Sequence, residues 1–349
     1  MADARRIVVC EAQVPFVRGG AESLVRALVA ELRSHGFEAE LVSVPFKWYP
    51  PEELFSHAAA WRLIDLSESS GRRIDRVIAT KFPTYFVRHP DKVTWLVHQY
   101  RAAYELADTA YSEFEHRDLH VATRDRLIAL DTQMLAESRA VYTIAHTVTA
   151  RLARYNGLKS ETLYHPPRLA ARLHGGPAGD YLLSVGRLES VKRVDLAIRA
   201  LAAAPPGLRL LIVGTGSQRD TFERLAESLG VADRVQFLGE VDDEALIELY
   251  AGAYAVIYPP YDEDFGYVTL EAFLSKKPVL TTHDAGEPTA FVQDGVNGRV
   301  TDPDPTAIAG AIADLAADPA RAARMGEAGY EQARLITWTS TIERLVQGA

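Results

Sequence analysis

Two short stretches carry the residue types that could do chemistry: "GRLESVK", Gly186 to Lys192, and "EDFGYVTLE", Glu263 to Glu271. In the first, Arg187 and Lys192 bracket the expected start of a helix. That end of a helix is already positive, so two cations there are misplaced unless an anion joins them. A phosphate clamp resolves the conflict, and a solvated charged loop is the plainer alternative. In the second stretch, Glu271 has Tyr267, Val268, Leu274 and Ser275 three and four positions away, a largely apolar helix face. A carboxylate on such a face needs a donor, and the vicinal hydroxyls of a ribose would supply one. Glu263, still in the loop, would accept hydrogen bonds from a sugar further out.

Two other loops invite the same question. Gly19 and Gly20 stand directly before the helical pattern "AESLVRAL". Paired glycines let a backbone approach a ligand closely, and a helix N-terminus offers free N–H groups to an anion; a simple turn explains them equally well. "GTGSQRDTF" resembles a dinucleotide fingerprint, yet Arg219 occupies the place of the third glycine. A nucleotide near Gly214 and Gly216 fits; an NAD pyrophosphate grip does not.

The elements that must position these loops are legible as a rhythm. Short β-branched runs ("IVVC", "EAELVSV", "RVIAT", "VTWLVH", "AVYTIA") alternate with stretches of helical period, which predicts βαβ units and a parallel sheet covered on both faces. Ligands of such sheets lie beyond the carboxyl ends of the strands, where all four loops fall. The rhythm breaks at "YHPPRLAARLHGGPAGDY", read as a linker, and resumes with a second sheet from "YLLSVG" to "KPVLTT". The expected division is an N-terminal domain over 1–165, a C-terminal domain over 166–330, and a closing helix over 331–349 that crosses back to the first domain.

Composition excludes several classes. A chain of 349 residues with 48% hydrophobic content has ample material for two cores. A net charge of -9 argues against a nucleic-acid partner. Cys10, the single cysteine, allows neither an intramolecular disulfide nor a cysteine metal cluster. The N-terminus lacks an apolar stretch of signal-peptide length, and no window is long enough to span a membrane. The chain is expected to be cytoplasmic, soluble or at most peripheral at the inner face of a membrane.

"GRLESVK" followed by "EDFGYVTLE", together with "HDAGEP", "DGVNGRV" and Trp338 near a closing helix, resembles the retaining GT4-type glycosyltransferases, the glycosyl transferases group 1. The resemblance implies a GT-B fold: α/β, with two facing Rossmann-like domains, parallel sheets and an interdomain cleft. It implies that the C-terminal domain holds a nucleotide-sugar donor and the N-terminal domain a glycan or lipid-linked acceptor. Arg187 and Lys192 become diphosphate ligands, Glu271 the ribose ligand and Glu263 the donor-sugar ligand. Gly186, Gly214 and the backbone amides of Phe265, Gly266, Tyr267 and Val268 would line the nucleotide sugar, with Gly19 and Gly20 meeting the diphosphate from the other domain. His98, ending "VTWLVH", matches a histidine near the transferred sugar, although a histidine at a strand end is as readily structural.

The aromatic stretches "PFKWYPPEELF" and "HQYRAAYELADTAYSEFEHRD" suit carbohydrate stacking or simple packing on the acceptor side. The expected activity is metal-independent, cofactor-free, retaining transfer of a hexose in polysaccharide biosynthesis. A sugar-nucleotide epimerase on the same scaffold, or a non-catalytic sugar-nucleotide-binding protein, are the alternatives.

Overall fold

The computed structural model describes residues 5–16, 19–107 and 118–347. The chain divides into two units, Met1–Arg168 with Thr337–Ala349, and Leu169–Ile336.

The first unit runs β1 (Arg6–Gln13), α1 (Gly20–Ser34), β2 (Glu38–Pro45), α2 (Glu53–Leu63), a short hairpin of β3 (Glu68–Ser69) and β4 (Arg72–Arg73), β5 (Arg76–Ala79), β6 (Lys92–Leu96), α3 (Asp118–Ala136), β7 (Ala140–Thr143), α4 (His146–Asn156) and β8 (Glu161–Thr162). Its sheet has the order β2-β1-β5-β6-β7-β8 and its strand pairs are parallel, with Val9 opposite both Leu41 and Ile78. β1 is apolar on successive residues because both faces are covered. On α1 the buried Leu24, Val25, Leu28, Val29 and Leu32 recur at helical spacing and form the stripe that covers the sheet.

The second unit continues with β9 (Tyr181–Val185), α5 (Val194–Ala203), β10 (Arg209–Val213), α6 (Arg219–Ser228), β11 (Val235–Gly239), α7 (Asp243–Gly252), β12 (Ala255–Ile257), α8 (Tyr267–Leu274), β13 (Val279–Thr282), α9 (Pro288–Phe291), β14 (Gly298–Thr301), α10 (Pro305–Ala317) and α11 (Pro319–Ala333). The order is β11-β10-β9-β12-β13-β14, again parallel. One core joins Leu182, Leu210, Ile212, Ile257 and Leu280 of the strands to Ile198, Leu201 and Ile312 of the helices. Asp242, Asp304 and Asp318 cap α7, α10 and α11, accepting from backbone N–H groups at 2.8, 2.9 and 2.9 Å.

The last helix, α12 (Trp338–Gln347), belongs to the first unit. Trp338 stacks on His165 at 5.7 Å and meets the edge of Trp95 at 6.3 Å. The buried Arg76 guanidinium donates to the carbonyls of Leu345 and Val346 at 2.6 and 2.9 Å, placing a cation at the negative end of α12. α11 continues to Ala333, so the return to the first unit begins at Thr337 rather than at residue 331. The Pro- and Gly-rich stretch read as a linker is also tied down: Gly179 N–H donates to Gly252 O at 2.9 Å, and Gly176 O accepts from Lys277 at 2.8 Å. Among the described residues no helix is long and apolar enough to cross a membrane. The aromatic stretch that begins at His98 lies in part, over 108–117, outside the described residues, as do Val17 and Arg18 before the paired glycines.

Candidate functional site

In the second unit the strand order reverses between β9 and β12, which pair side by side with Leu182 opposite Ala255. A reversal of this kind leaves a crevice at the carboxyl end of the sheet, and the loops after these two strands frame it. Gly186, Arg187 and Lys192 follow β9, whereas Glu263, Phe265 and Gly266 follow β12.

One residue that sequence reasoning passed over organises both loops. Arg193, held at φ 47°, donates from Nε to Pro259 O at 2.8 Å and from Nη2 to Pro260 O at 2.6 Å. The same fork bonds Asp284 at 2.8 and 2.6 Å and Thr282 Oγ1 at 2.9 Å. Burial works against the Asp284 carboxylate, but Arg193 and Thr282 hold its pKa below the usual range. Three loops, those after β9, β12 and β13, are thereby locked to one guanidinium. Tyr261 N–H adds a bond to Val191 O at 2.8 Å. No spacing rule could have found Arg193, because its partner Asp284 lies 91 positions away.

Within this frame Lys192 donates to the Glu263 carboxylate and, at 3.3 Å, to the Tyr258 hydroxyl. The misplaced cation of the sequence therefore finds its counter-charge inside the chain, and the two candidate ligands form one unit. Glu263 is fixed by its backbone as well: its N–H donates to Ala285 O at 2.9 Å and its carbonyl accepts from Glu287 N–H at 2.9 Å. Gly286, at φ 78°, makes that pairing feasible, since a Cβ there would stand 2.5 Å from Glu263 O.

Arg187 is different. It is exposed, and its guanidinium makes no hydrogen bond or ion pair among the described residues, although its carbonyl accepts from Glu189 N–H at 2.9 Å. Burial and the Glu263 carboxylate push the Tyr258 hydroxyl well above its usual pKa, while Arg187 acts in the opposite direction, which places its charge near the Lys192–Glu263 pair.

α8 begins at Tyr267 behind Gly266, which has φ 75° and supplies no side-chain cap. The first N–H groups of a helix have no partner within it, and Gly266 as the N-cap has no side chain to accept from them at this positive end. Phe265 is buried against Tyr267 and Phe291, at 4.9 and 6.0 Å between ring centres, and anchors the approach to the helix. Glu271, half-buried on α8, accepts from the Tyr250 hydroxyl of α7 at 2.8 Å. Burial, followed by the charge of Glu271, drives the Tyr250 phenol well above its usual pKa, so it remains a donor. Gly214 has a packing role in addition to any contact with a ligand: a Cβ there would lie 2.0 Å from Gly186 O, and one on Gly216 would lie 2.5 Å from Leu188 O. The two glycines let the loop after β10 press against the loop that carries Arg187.

The remaining candidates lie in the first unit, whose own reversal is between β1 and β5. Gly19 is the N-cap of α1 and Gly20 its first residue. Glu22, in the first turn, pairs with Lys81 at 2.7 Å. Burial opposes the Glu22 carboxylate, but Lys81 brings its pKa below the usual value. Lys81 follows β5 and was not singled out by sequence; its place just past a strand at the reversal was the available signal. His98 Nδ1 lies 2.7 Å from Gln99 O. A carbonyl can only accept, so Nδ1 carries the proton and Nε2 is the acceptor of the neutral ring.

The second unit has a six-stranded parallel sheet in Rossmann order, with charged loops at its reversal. Residues 177–332 match the family described as "Glycosyl transferases group 1". Among curated proteins, the D-inositol 3-phosphate glycosyltransferase of Mycolicibacterium vanbaalenii is 36% identical over 210 residues, covering 55% of this chain and 46% of that protein. Its counterpart in Mycolicibacterium gilvum is 33% identical over 234 residues, covering 64% and 51%. The chain thus spans about half the length of the curated relatives it matches. Among solved structures, sucrose-phosphate synthase from Thermosynechococcus elongatus aligns with a TM-score of 0.77 at 21% identity, covering 98% of both chains. Anabaena HepE in complex with UDP and glucose aligns at 0.72 with 17% identity, covering 99% of both. The fold is that of the GT-B glycosyltransferases.

Proposed function

We propose that the chain is a retaining glycosyltransferase that moves a hexose from a nucleoside diphosphate sugar to a glycan or lipid-linked acceptor, without a metal. The observation that carries this reading is the Arg187 guanidinium, unpaired among the described residues at the β9–β12 reversal, beside a Lys192–Glu263 pair and within the unit that begins α8 behind a glycine N-cap. A cation without a counter-charge and a positive helix end suit a diphosphate.

In the proposed reaction the acceptor oxygen bonds to the anomeric carbon as the bond from that carbon to the diphosphate breaks. The departing phosphate oxygen takes the acceptor's proton on the same face, so configuration is kept. Charge grows on the leaving group, and Arg187, Lys192 and the amides at the start of α8 are the groups suited to stabilise it. Glu263 would orient the sugar hydroxyls through the position that Lys192 holds it in, and Glu271 would accept from the ribose while Tyr250 fixes its carboxylate. In this reading Gly19, Gly20 and His98 serve the donor from the first unit, and the protein works in the cytoplasm or at the inner face of a membrane.

The complexes of HepE make a uridine diphosphate sugar the first donor to try. The names of the curated relatives make D-inositol 3-phosphate the first acceptor to try, alongside glycan acceptors. Calorimetry against UDP, GDP and ADP identifies the base. Proton NMR of fresh product then reads the anomer: an α-linked donor should give an α-glycoside. A β-glycoside would overturn the mechanism, and consumption of donor without acceptor would favour an epimerase.

A further inference from the structure

A cavity of about 510 Å³ lies in the second unit at the end of the sheet opposite the loops just described. Its walls come from segments that precede strands: Pro177 and Ala178 before β9, Tyr254 before β12, and Lys277 before β13, closed by the first turns of α11. The strands are parallel, so these segments and the loop bearing Arg187 occupy opposite edges of one sheet.

Lys277 is the unusual member. The residue is only 3% exposed, and the one hydrogen bond of its ammonium among the described residues is to Gly176 O at 2.8 Å. An ammonium carries three donors, and no carboxylate lies within ion-pair distance of this one among the described residues. Burial holds its pKa below the usual lysine range. The other two charges on the cavity wall cancel, because Lys276 pairs with Glu327 at 2.9 Å. What remains is one buried cation among the residues of the cavity wall, with no carboxylate in ion-pair reach among the described residues. Such a cation is costly to keep unless something anionic meets it.

The surrounding backbone is shaped to hold that arrangement. Lys276 takes a left-handed conformation at φ 56°. Gly326 of α11 lets the helix approach, for a Cβ there would stand 2.0 Å from Lys276 O. Much of the remaining lining is apolar: Pro177, Pro278, Pro319, Ala322 and the ring of Tyr254. The Tyr254 hydroxyl is already engaged with Leu315 O at 2.5 Å, so it contributes a ring face rather than a donor.

We propose that this cavity binds a small phosphomonoester, its phosphate on Lys277 and its organic body against the proline and tyrosine walls. A compact ammonium suits a phosphate oxygen as a point charge, and the volume admits a body of hexose size rather than a phosphate alone. The site is separate from the one that carries the proposed transfer.

Calorimetry with glucose 6-phosphate, inorganic phosphate and glucose tests this on the whole chain. Glucose 6-phosphate should bind, inorganic phosphate more weakly, and glucose not measurably. Lys277→Met should weaken glucose 6-phosphate by about tenfold or more, the worth of a lost charge-assisted bond. Ala323→Glu, an exposed change on the cavity wall that leaves Lys277 in place, should weaken it in the same direction and serves if the first variant does not fold. Arg187→Ala should leave the affinity unchanged. No binding at millimolar concentration by the unaltered protein overturns the proposal. So does wild-type affinity in both cavity variants, or a loss confined to Arg187→Ala, which would place the phosphate at the other edge of the sheet.

Discussion

Lys192 and Glu263 are 71 positions apart and form an ion pair across the loops that follow β9 and β12, with side chains only 16% and 21% exposed. Two residues with separate expected roles, one for a phosphate and one for a sugar, are thus mechanically coupled. Lys192→Ala and Glu263→Gln should each lower kcat, and the double variant should lose less than the sum. A coupling of about 1 to 3 kcal/mol is expected for contacting residues in one network. Steady-state rates of the four proteins measure it, and strict additivity would dissolve the unit.

Glu271 depends on Tyr250 rather than on Lys192, so its loss should read out differently. Glu271→Ala should weaken binding of the free nucleoside diphosphate by about 1.5 to 3 kcal/mol, the cost of a lost charge-assisted bond. Tyr250→Phe should weaken it less, since only the orientation of the carboxylate is relaxed. Glu263→Ala should leave that affinity nearly unchanged while impairing transfer. Calorimetry with the diphosphate alone separates the three; equal affinity throughout would remove the ribose role.

Gly214 and Gly310 make a contrasting pair for stability. Gly214 has φ 125°, and a Cβ would lie 2.0 Å from Gly186 O, so Gly214→Ala should destabilise by at least about 1 to 3 kcal/mol from backbone strain alone. Gly310 lies inside α10, where a Cβ meets nothing within 4 Å. Gly310→Ala should therefore stabilise by roughly 0.5 to 1 kcal/mol. Denaturant melts of the two variants provide the check, and a harmless Gly214→Ala would contradict the packing of the two loops.

A pH dependence follows from Asp131 in the first unit. Burial pushes its carboxyl up from 3.8 to about 7, against the Tyr104 hydroxyl that donates to it at 2.7 Å. The Gln99 amide, next to His98, reaches this group through Asn156 and Tyr104, at 3.2 and 3.4 Å. A raised carboxyl pKa means that the folded protein keeps a proton the unfolded chain has released. Stability should fall as pH rises from about 4 to about 7 by up to roughly 1.4 kcal/mol per unit, and level off above. Asp131→Asn should remove that slope, so the Tm of the variant relative to the unaltered protein should rise between pH 5 and pH 8. Parallel melting curves would refute the assignment.

The periodicity of short apolar runs and helical stripes was enough to specify two parallel α/β sheets, because burial on both faces leaves its mark on successive residues of each strand. The charged loops were visible for a similar local reason: Arg187 and Lys192 stand beside a glycine and a helix start, and Glu271 sits on an apolar helix face. What those charges meet was not local. Glu263 answers Lys192 and Asp284 answers Arg193 only because β9, β12 and β13 lie side by side, an adjacency set by the order of strands in the sheet. Tyr250 answers Glu271 because α7 and α8, on either side of β12 in the chain, meet. Lys277 shows the same division from the other side. Its sequence neighbours, "KPVLTT", read only as a strand of the second sheet, and the packing of α11 and the 175–178 segment around it makes it a buried cation. Residue type and period are written along the chain, whereas the pairing of charges depends on distances that close only when the sheet forms.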